Sequence, residues 1–455
     1  MAALDFPPSP LINDKYPVPA VPGVPQYTFD GVKWTTVGPQ ITNAKAADAL
    51  PLMDAASAAI GTATDYARED HVHPSDTSRA AKSYVDASMV RYDAAQTTTE
   101  AQKTQARQNI YAAPMDALSY SGMQINGSMD VSQERGFVST PVSAAALWIV
   151  DGWLVSSIGG QALTASPSGT SAVSGFSRVL QIAVTTANAA PAASNYVMIS
   201  QRIEGYRVQR LGWGGANAQP LTLAFWAYAV RPGTYSGSVQ NGASNRSYPF
   251  SFTINAASTY EYKTITIPGD TTGTWLKDSN LGMQLNFAMM AGTSFCATAG
   301  AWAAGNFLGA TGTINGVAAT TDLFRIVGVV ILPGDEAPSA ERSPLIMRPF
   351  DQELVTCQRY WRKNPAAFGA WSGTVTDFRA ALTLSPPMRA VPSYALLIGT
   401  SAIERIGVTF LNITGITGVT WNEPGGGQIA LATGTSVARE PGVLAPNVLS
   451  IDARL

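Results

Sequence analysis

The sequence predicts a mainly β protein: an extended N-terminal anchor, a short helical stalk, then β-sandwich domains of jelly-roll type. Three observations predict it. Charged residues make up only 13% of the 455 residues, about half the usual share of roughly 25%. Glycine (41) and proline (29) are abundant, as turn-rich β architecture requires. Short alternating runs such as "LTLAFWAYAV", "YEYKTITI" and "LGMQLNFAM" recur between clusters of Gly, Asn, Asp, Ser and Pro, the pattern of strands joined by turns.

Residues 1–45 contain Pro7, Pro8, Pro10, Pro17, Pro19, Pro22 and Pro25. Proline lacks an amide donor and restricts the residue before it, so an extended segment lying along another protein is expected, with little core of its own. Within it, "QYTFDGVKWTTVG" places Asp30-Gly31 between two alternating runs, a hairpin signal. Residues 46–113 form the linker and stalk. Ser75 or Asp76 can cap a helix whose apolar residues Ala81, Tyr84, Val85, Met89 and Tyr92 recur at spacings of three and four. Thr97 and Glu100 then fit a capping box. The apolar stripe is too thin to hold a lone helix, so it packs either on copies of itself or as a two-helix element within one chain. Residues 114–345 read as the jelly-roll-like sandwich and 346–455 as a second, smaller β domain. Both faces of "LTLAFWAYAV" are apolar, which predicts a strand covered on both sides.

Composition also excludes functions. Net charge is -2 and there is no long basic block, so the electrostatic footprint of a nucleic-acid binder is missing. The N-terminus lacks the pattern of a secretory signal, and "FRIVGVVIL" is too short to span a membrane. Cys296 and Cys357 lack metal-ligand spacing; they are buried thiols or a single bridge. No cofactor motif is present.

The two histidines, His71 and His73, stand in "EDHVHPSD". On an extended backbone they project from one side. Symmetry copies would then offer stacked imidazole rings to a transition metal, with Asp70 or Asp76 orienting them. The competing reading is a hydrogen-bonded turn, favoured by Pro74 and by Arg68, Glu69 and Asp70 just ahead. With both histidines in the stalk, the β domains lack a base for nucleophilic catalysis. Paired carboxylates could still cleave glycans, and Asp270, Asp278, Asp322 and Glu336 are the candidates, although such residues ordinarily form turns. The expectation is a protein that is not an enzyme.

Sugar recognition uses aromatic faces and neutral hydrogen-bonding groups, and the chain has 10 Trp and 16 Tyr. Trp148, Trp153 and Trp226 read as core. Trp213, Trp371 and Trp421 are flanked by glycine and polar residues, which makes them candidate binding residues in loops or else packing anchors. Arg359 and Arg362, in "CQRYWRK", read as part of a linker docking two β domains.

Several stretches carry a resemblance. "FPPSPLINDKY" followed by "YTFDGVKWTTVG" looks like the N-terminal module of tailed-phage fibre proteins, and "GTATDYAREDHVHPSDTSRAA", "TEAQKTQARQNIYA", "INGSMDVSQERG", "IPGDTTGTW" and "CQRYW" resemble segments that recur in such fibres and appendages. The resemblance implies a virion structural protein, a homotrimer. Its N-terminus would bind tail, collar or capsid proteins and its C-terminal β domains would face host-surface glycans. It also keeps the His-x-His metal idea alive, since some long tail fibres use the motif in that way.

Overall fold

The computed structural model describes residues 5–22, 24–36, 99–109, 122–143, 146–168, 172–371, 377–397, 401–405, 408–433 and 441–455. His71, His73, Asp70, Asp76 and the stalk positions Ala81, Tyr84, Val85, Met89 and Tyr92 lie outside them. The chain divides into two units, Met1–Thr97 and Thr98–Leu455.

In the first unit, β1 (Lys15–Tyr16), β2 (Tyr27–Phe29) and β3 (Trp34–Thr36) form an antiparallel sheet in that order. The expected hairpin is present with a four-residue loop, because Phe29 pairs with Trp34. Asp30 builds the turn. Its Oδ1 accepts the amides of Val32 and Lys33, each at 2.8 Å, while Gly31 takes φ +102°. Those amide donors hold the Asp30 carboxyl below its usual pKa. The segment has more of a core than its prolines predict: Phe6 stacks on Trp34 at 5.0 Å and meets Tyr27 edge-on at 5.2 Å.

The second unit opens with α1 (Glu100–Asn109). Its capping box forms two residues later than predicted: Thr99 Oγ1 accepts the Gln102 amide at 3.3 Å and Gln102 Oε1 accepts the Thr99 amide at 2.9 Å. Threonine followed three residues on by glutamine satisfies the same reciprocal geometry as the expected Thr97–Glu100 pair.

The sandwich follows. Its strands are β4 (Thr140–Val142), β5 (Ala146–Val150), β6 (Trp153–Ile158), β7 (Ala162–Ser168), β8 (Val179–Thr186) and β9 (Tyr196–Glu204). After a short helix α2 (Gly205–Val208) come β10 (Leu221–Ala229), β11 (Gly233–Asn241), β12 (Arg246–Ile254), β13 (Glu261–Ile267) and β14 (Leu281–Ala291). Short pairings β15 (Cys296–Ala297), β16 (Ala303–Ala304) and β17 (Gly309–Ala310) precede β18 (Leu323–Pro333). One sheet has the order β13-β10-β18-β8-β7-β4 and the other β16-β12-β11-β14-β9-β6-β5. The period-2 pattern puts Phe225, Tyr235, Phe252, Phe287 and Phe324 into one core between the sheets. Phe225 meets Phe287 edge-on at 4.7 Å.

Residues 122–131, most of the "INGSMDVSQERG" stretch, are buried without regular structure. Buried backbone must find partners, and side chains supply them. Asn126, at φ +52°, donates from Nδ2 to the carbonyls of Val131 and Asp151 and accepts the Val131 amide. Trp153 Nε1 and Gln201 Nε2 both donate to the Ile125 carbonyl.

The chain continues through α3 (Phe350–Gln358), β19 (Trp361–Lys363), β20 (Ala367–Trp371), β21 (Asp377–Thr383), β22 (Ser393–Leu396), β23 (Ser401–Arg405), β24 (Val408–Glu423), β25 (Gly426–Thr433), β26 (Pro441–Leu444) and β27 (Leu449–Asp452). Six of these strands close a barrel, β20-β21-β25-β24-β23-β26, and β19-β27-β22 form a small sheet. Closure leaves those six strands without an open edge, and Phe378, Leu382, Ile429, Leu431 and Leu444 fill the interior. The "CQRYWRK" segment does tie the two β regions together: Arg359 reaches Glu204 at 2.8 Å and the Tyr360 hydroxyl donates to the same carboxylate at 2.8 Å. Among the described residues no helix is long and apolar enough to cross a membrane.

Candidate binding cleft

The six-stranded sheet presents its outer face through every second residue. On β10 these include Trp226 and Tyr228; on β13, Tyr262, with Tyr260 two residues before it. Trp226 pairs with Tyr262 across the strands and with Val327 on β18, while Tyr228 pairs with Arg325. The aromatic rings therefore form one patch, with Trp226 and Tyr262 centroids 5.2 Å apart and Tyr228 and Tyr260 5.0 Å apart. Two segments rise beside it. One is 172–176, where Val173 and Phe176 pack with Val179 and Val327. The other is 334–347, pinned by hydrogen bonds from Tyr262 to the Pro338 carbonyl at 2.7 Å and from Trp226 Nε1 to Ser343 Oγ at 3.3 Å.

Between them lies a cleft of about 710 Å³ lined by Trp226, Tyr260, Ser174, Ser258, Thr259 and Glu341, among others. Trp226 and Tyr260 are half-buried, and the serines, Thr259 and Glu341 are exposed. The Tyr260 hydroxyl is buried, makes no well-formed hydrogen bond and lies beside the Arg325 guanidinium. Burial raises its pKa, partly offset by the nearby Arg325 charge. The arrangement offers an aromatic wall and a rim of serine and threonine hydroxyls with one carboxylate, Glu341, which suits a molecule with both apolar faces and hydroxyls.

The sequence-derived candidates fare differently. Trp213 is 1% exposed, so of its two expected roles it takes that of packing anchor and leaves the candidate binders. Its indole donates to the Gln219 carbonyl at 2.7 Å and meets Trp275 edge-on at 4.6 Å. Gly212 and Gly214, at φ +64° and +82°, fold the ring under the chain instead of presenting it. Trp371 ends β20 and Trp421 sits in β24, so both lie in barrel strands and not in loops. Trp226 is corrected from core residue to cleft wall. Trp153 is core as expected, and Trp148 lies under the Arg454 guanidinium at 5.2 Å.

The four carboxylates are each engaged. Asp270 accepts from Arg246 at 2.8 Å and from Trp275 Nε1 at 3.0 Å, which makes "IPGDTTGTW" a structural corner. Asp322 receives both arms of Arg231, at 3.1 and 3.0 Å. Asp278 caps its own turn through Asn280, and Glu336 pairs with Arg107. Cys296 and Cys357 are both free, with Cys357 buried. Arg362 donates to the Ser385 carbonyl at 2.9 Å. Among the described residues no group of acidic, histidine and cysteine side chains could hold a metal.

Neither a protein-family model nor a curated protein matches the chain. Solved structures match in part. An arabinose-bound α-L-arabinofuranosidase aligns at 9% identity and TM-score 0.28, over 53% of this chain and 30% of its own. The enzymatically active domain of tailspike protein 4 from bacteriophage CBA120 aligns at 12% identity and TM-score 0.24, over 47% and 21%. A family 11 carbohydrate-binding module of Clostridium thermocellum aligns at 12% identity and TM-score 0.22, over 43% and 99%. The chain thus spans under a third of the first two proteins.

Proposed function

We propose that the protein is a structural fibre or appendage component of a tailed phage that binds host-surface glycan through the sandwich cleft, without catalysis. The glycan reading is carried by one observation: Trp226 and Tyr260, whose buried hydroxyl lacks a well-formed hydrogen bond, line a cleft rimmed by serine, threonine and Glu341. Sugars stack their apolar faces on aromatic rings and satisfy buried hydroxyls through their own. The virion assignment, attachment through residues 1–45 and the homotrimer rest on the sequence resemblance. The absence of catalysis is supported by the engagement of Asp270, Asp278, Asp322 and Glu336 with arginines or turns.

The test is a glycan array probed with the full chain and with two variants. Trp226→Ala should abolish retention. Tyr260→Phe removes a single hydroxyl without a well-formed hydrogen bond, so it should leave folding unchanged and weaken binding about tenfold, the value of one buried hydrogen bond. Wild-type binding that survives both variants would move the site elsewhere. No binding by the wild-type chain would favour a collar or capsid fibre without a receptor role. Release of reducing ends from a bound polysaccharide would overturn the non-enzymatic reading.

A further inference from the structure

The row of side chains that continues from the cleft across the sheet ends in a cation without a carboxylate partner among the described residues. Arg325 on β18 stands opposite Tyr228 on one side and Gln181 on the other. Its Nε donates to Gln181 Oε1 at 2.8 Å, and its guanidinium lies 4.8 Å from the centre of the Tyr228 ring. Tyr228 in turn contacts Tyr260, the cleft residue, at 5.0 Å. Those two contacts fix the plane of the guanidinium, which also stands beside the Tyr260 hydroxyl and has no described carboxylate on its terminal nitrogens.

Arg325 lacks the carboxylate partner that several other arginines have. Arg231 faces Asp322, Arg246 faces Asp270, Arg348 faces Glu353 and Arg359 faces Glu204. No carboxylate pairs with Arg325 among the described residues. A half-buried arginine held rigid by an amide and an aromatic ring, without a counter-ion, is organised for an oxyanion that arrives from outside, because its planar fork matches a carboxylate with two parallel bonds. Arg325 stands beyond the cleft lining, behind Tyr228 and Tyr260, and the opposite charge lies within the lining. Glu341, whose carboxyl is held below its usual pKa by its own backbone amide and by Ser339, lines the cleft. An anionic substituent is therefore drawn to the arginine and away from Glu341.

We propose that the cleft takes an acidic glycan, with Arg325 receiving a carboxylate of the sugar while Trp226 and Tyr260 hold the ring. This rests on the reading that the cleft binds sugar, and the experiment separates the two. Uronic-acid polysaccharides such as polygalacturonate and alginate are each paired with a carboxyl-reduced form, in which every carboxylate is a hydroxymethyl group, and binding is measured by affinity electrophoresis. The wild-type chain should bind the acidic member at least about tenfold more tightly, as a charged hydrogen-bonded pair warrants. Arg325→Gln, which keeps an amide able to meet Gln181, should bring the ratio to about one while binding to the reduced form persists. Arg325→Lys should restore only part of the preference, since a point charge cannot form the paired bonds. Equal binding of both members by wild type, or a preference that Arg325→Gln leaves intact, overturns the acidic-ligand inference and leaves the sugar-binding reading standing. No binding of either member by wild type, or unchanged binding by Trp226→Ala, overturns both.

Discussion

Single residues decide how the cleft is built and how the fold responds to pH. Gly328, on β18, takes φ +64°, and a Cβ there would lie 2.7 Å from Phe176 Cζ and 3.1 Å from Trp226 Cδ1. Gly328→Ala should therefore cost roughly 1–3 kcal/mol in chemical denaturation, through backbone strain and overpacking. The same change should weaken glycan retention, because one of the displaced rings, Trp226, forms the cleft wall; a variant with wild-type stability would remove this account of the glycine. Asp151 is a second case. Burial pushes its carboxyl up to about 6, against the hydrogen bonds from Gln133 that favour ionisation. The folded chain then keeps a proton that the unfolded chain releases near 3.8, so this group costs stability progressively as pH rises from about 4 to 6 and in full above 6. Asp151→Asn should be the more stable protein at pH 7.5, by something on the order of 3 kcal/mol, with the advantage shrinking toward pH 4. Denaturation curves at pH 4, 5, 6 and 7.5 read it directly, and a constant difference across that range would contradict it.

At the scale of elements, the irregular stretch 122–131 depends on side chains for its backbone hydrogen bonds. Asn126 makes two of them, to the amide and carbonyl of Val131, and a third bond to the Asp151 carbonyl, while occupying a left-handed conformation that asparagine tolerates. Asn126→Ala should lose about 2–4 kcal/mol, through unpaired buried groups and φ strain together. Helix α3 docks beside it: Glu353 accepts the Asn126 amide at 2.9 Å and pairs with Arg348 at 3.0 Å, both nearly buried. Glu353→Ala leaves that arginine without its counter-ion and should cost about 3–5 kcal/mol. Urea midpoints test both, and values near wild type would show that relaxation or water replaces the lost partners. The motif was visible in the sequence as a string of small and polar residues. Its buried, threaded path was not, because no periodicity marks a segment whose partners come from Gln201, Asp151 and Glu353.

For the whole molecule, the proposal of a homotrimer makes a measurable demand. Sedimentation of the full chain at micromolar concentration should give three times the mass of one chain, and a folded monomer would remove the fibre reading. If His71 and His73 bind a metal in that assembly, chelation should lower its thermal stability, whereas a hydrogen-bonded turn predicts no change.

The amino-acid order by itself determined the β class, the Asp30 turn and the pairing of faces within strands: Trp226 with Tyr228, and Tyr260 with Tyr262, share a side simply because they are two residues apart. It left Trp213 open between two roles and misplaced Trp226, for separate reasons. Glycine neighbours mark a special backbone without saying whether the ring turns in or out, and an apolar strand face does not say what covers it. Only the tertiary structure decided that β10 lies between β13 and β18, and that segments 172–176 and 334–347 flank its outer face without sealing it. Those neighbours are drawn from distant parts of the chain, and cross-strand contact, unlike alternation along a strand, leaves no local trace in sequence.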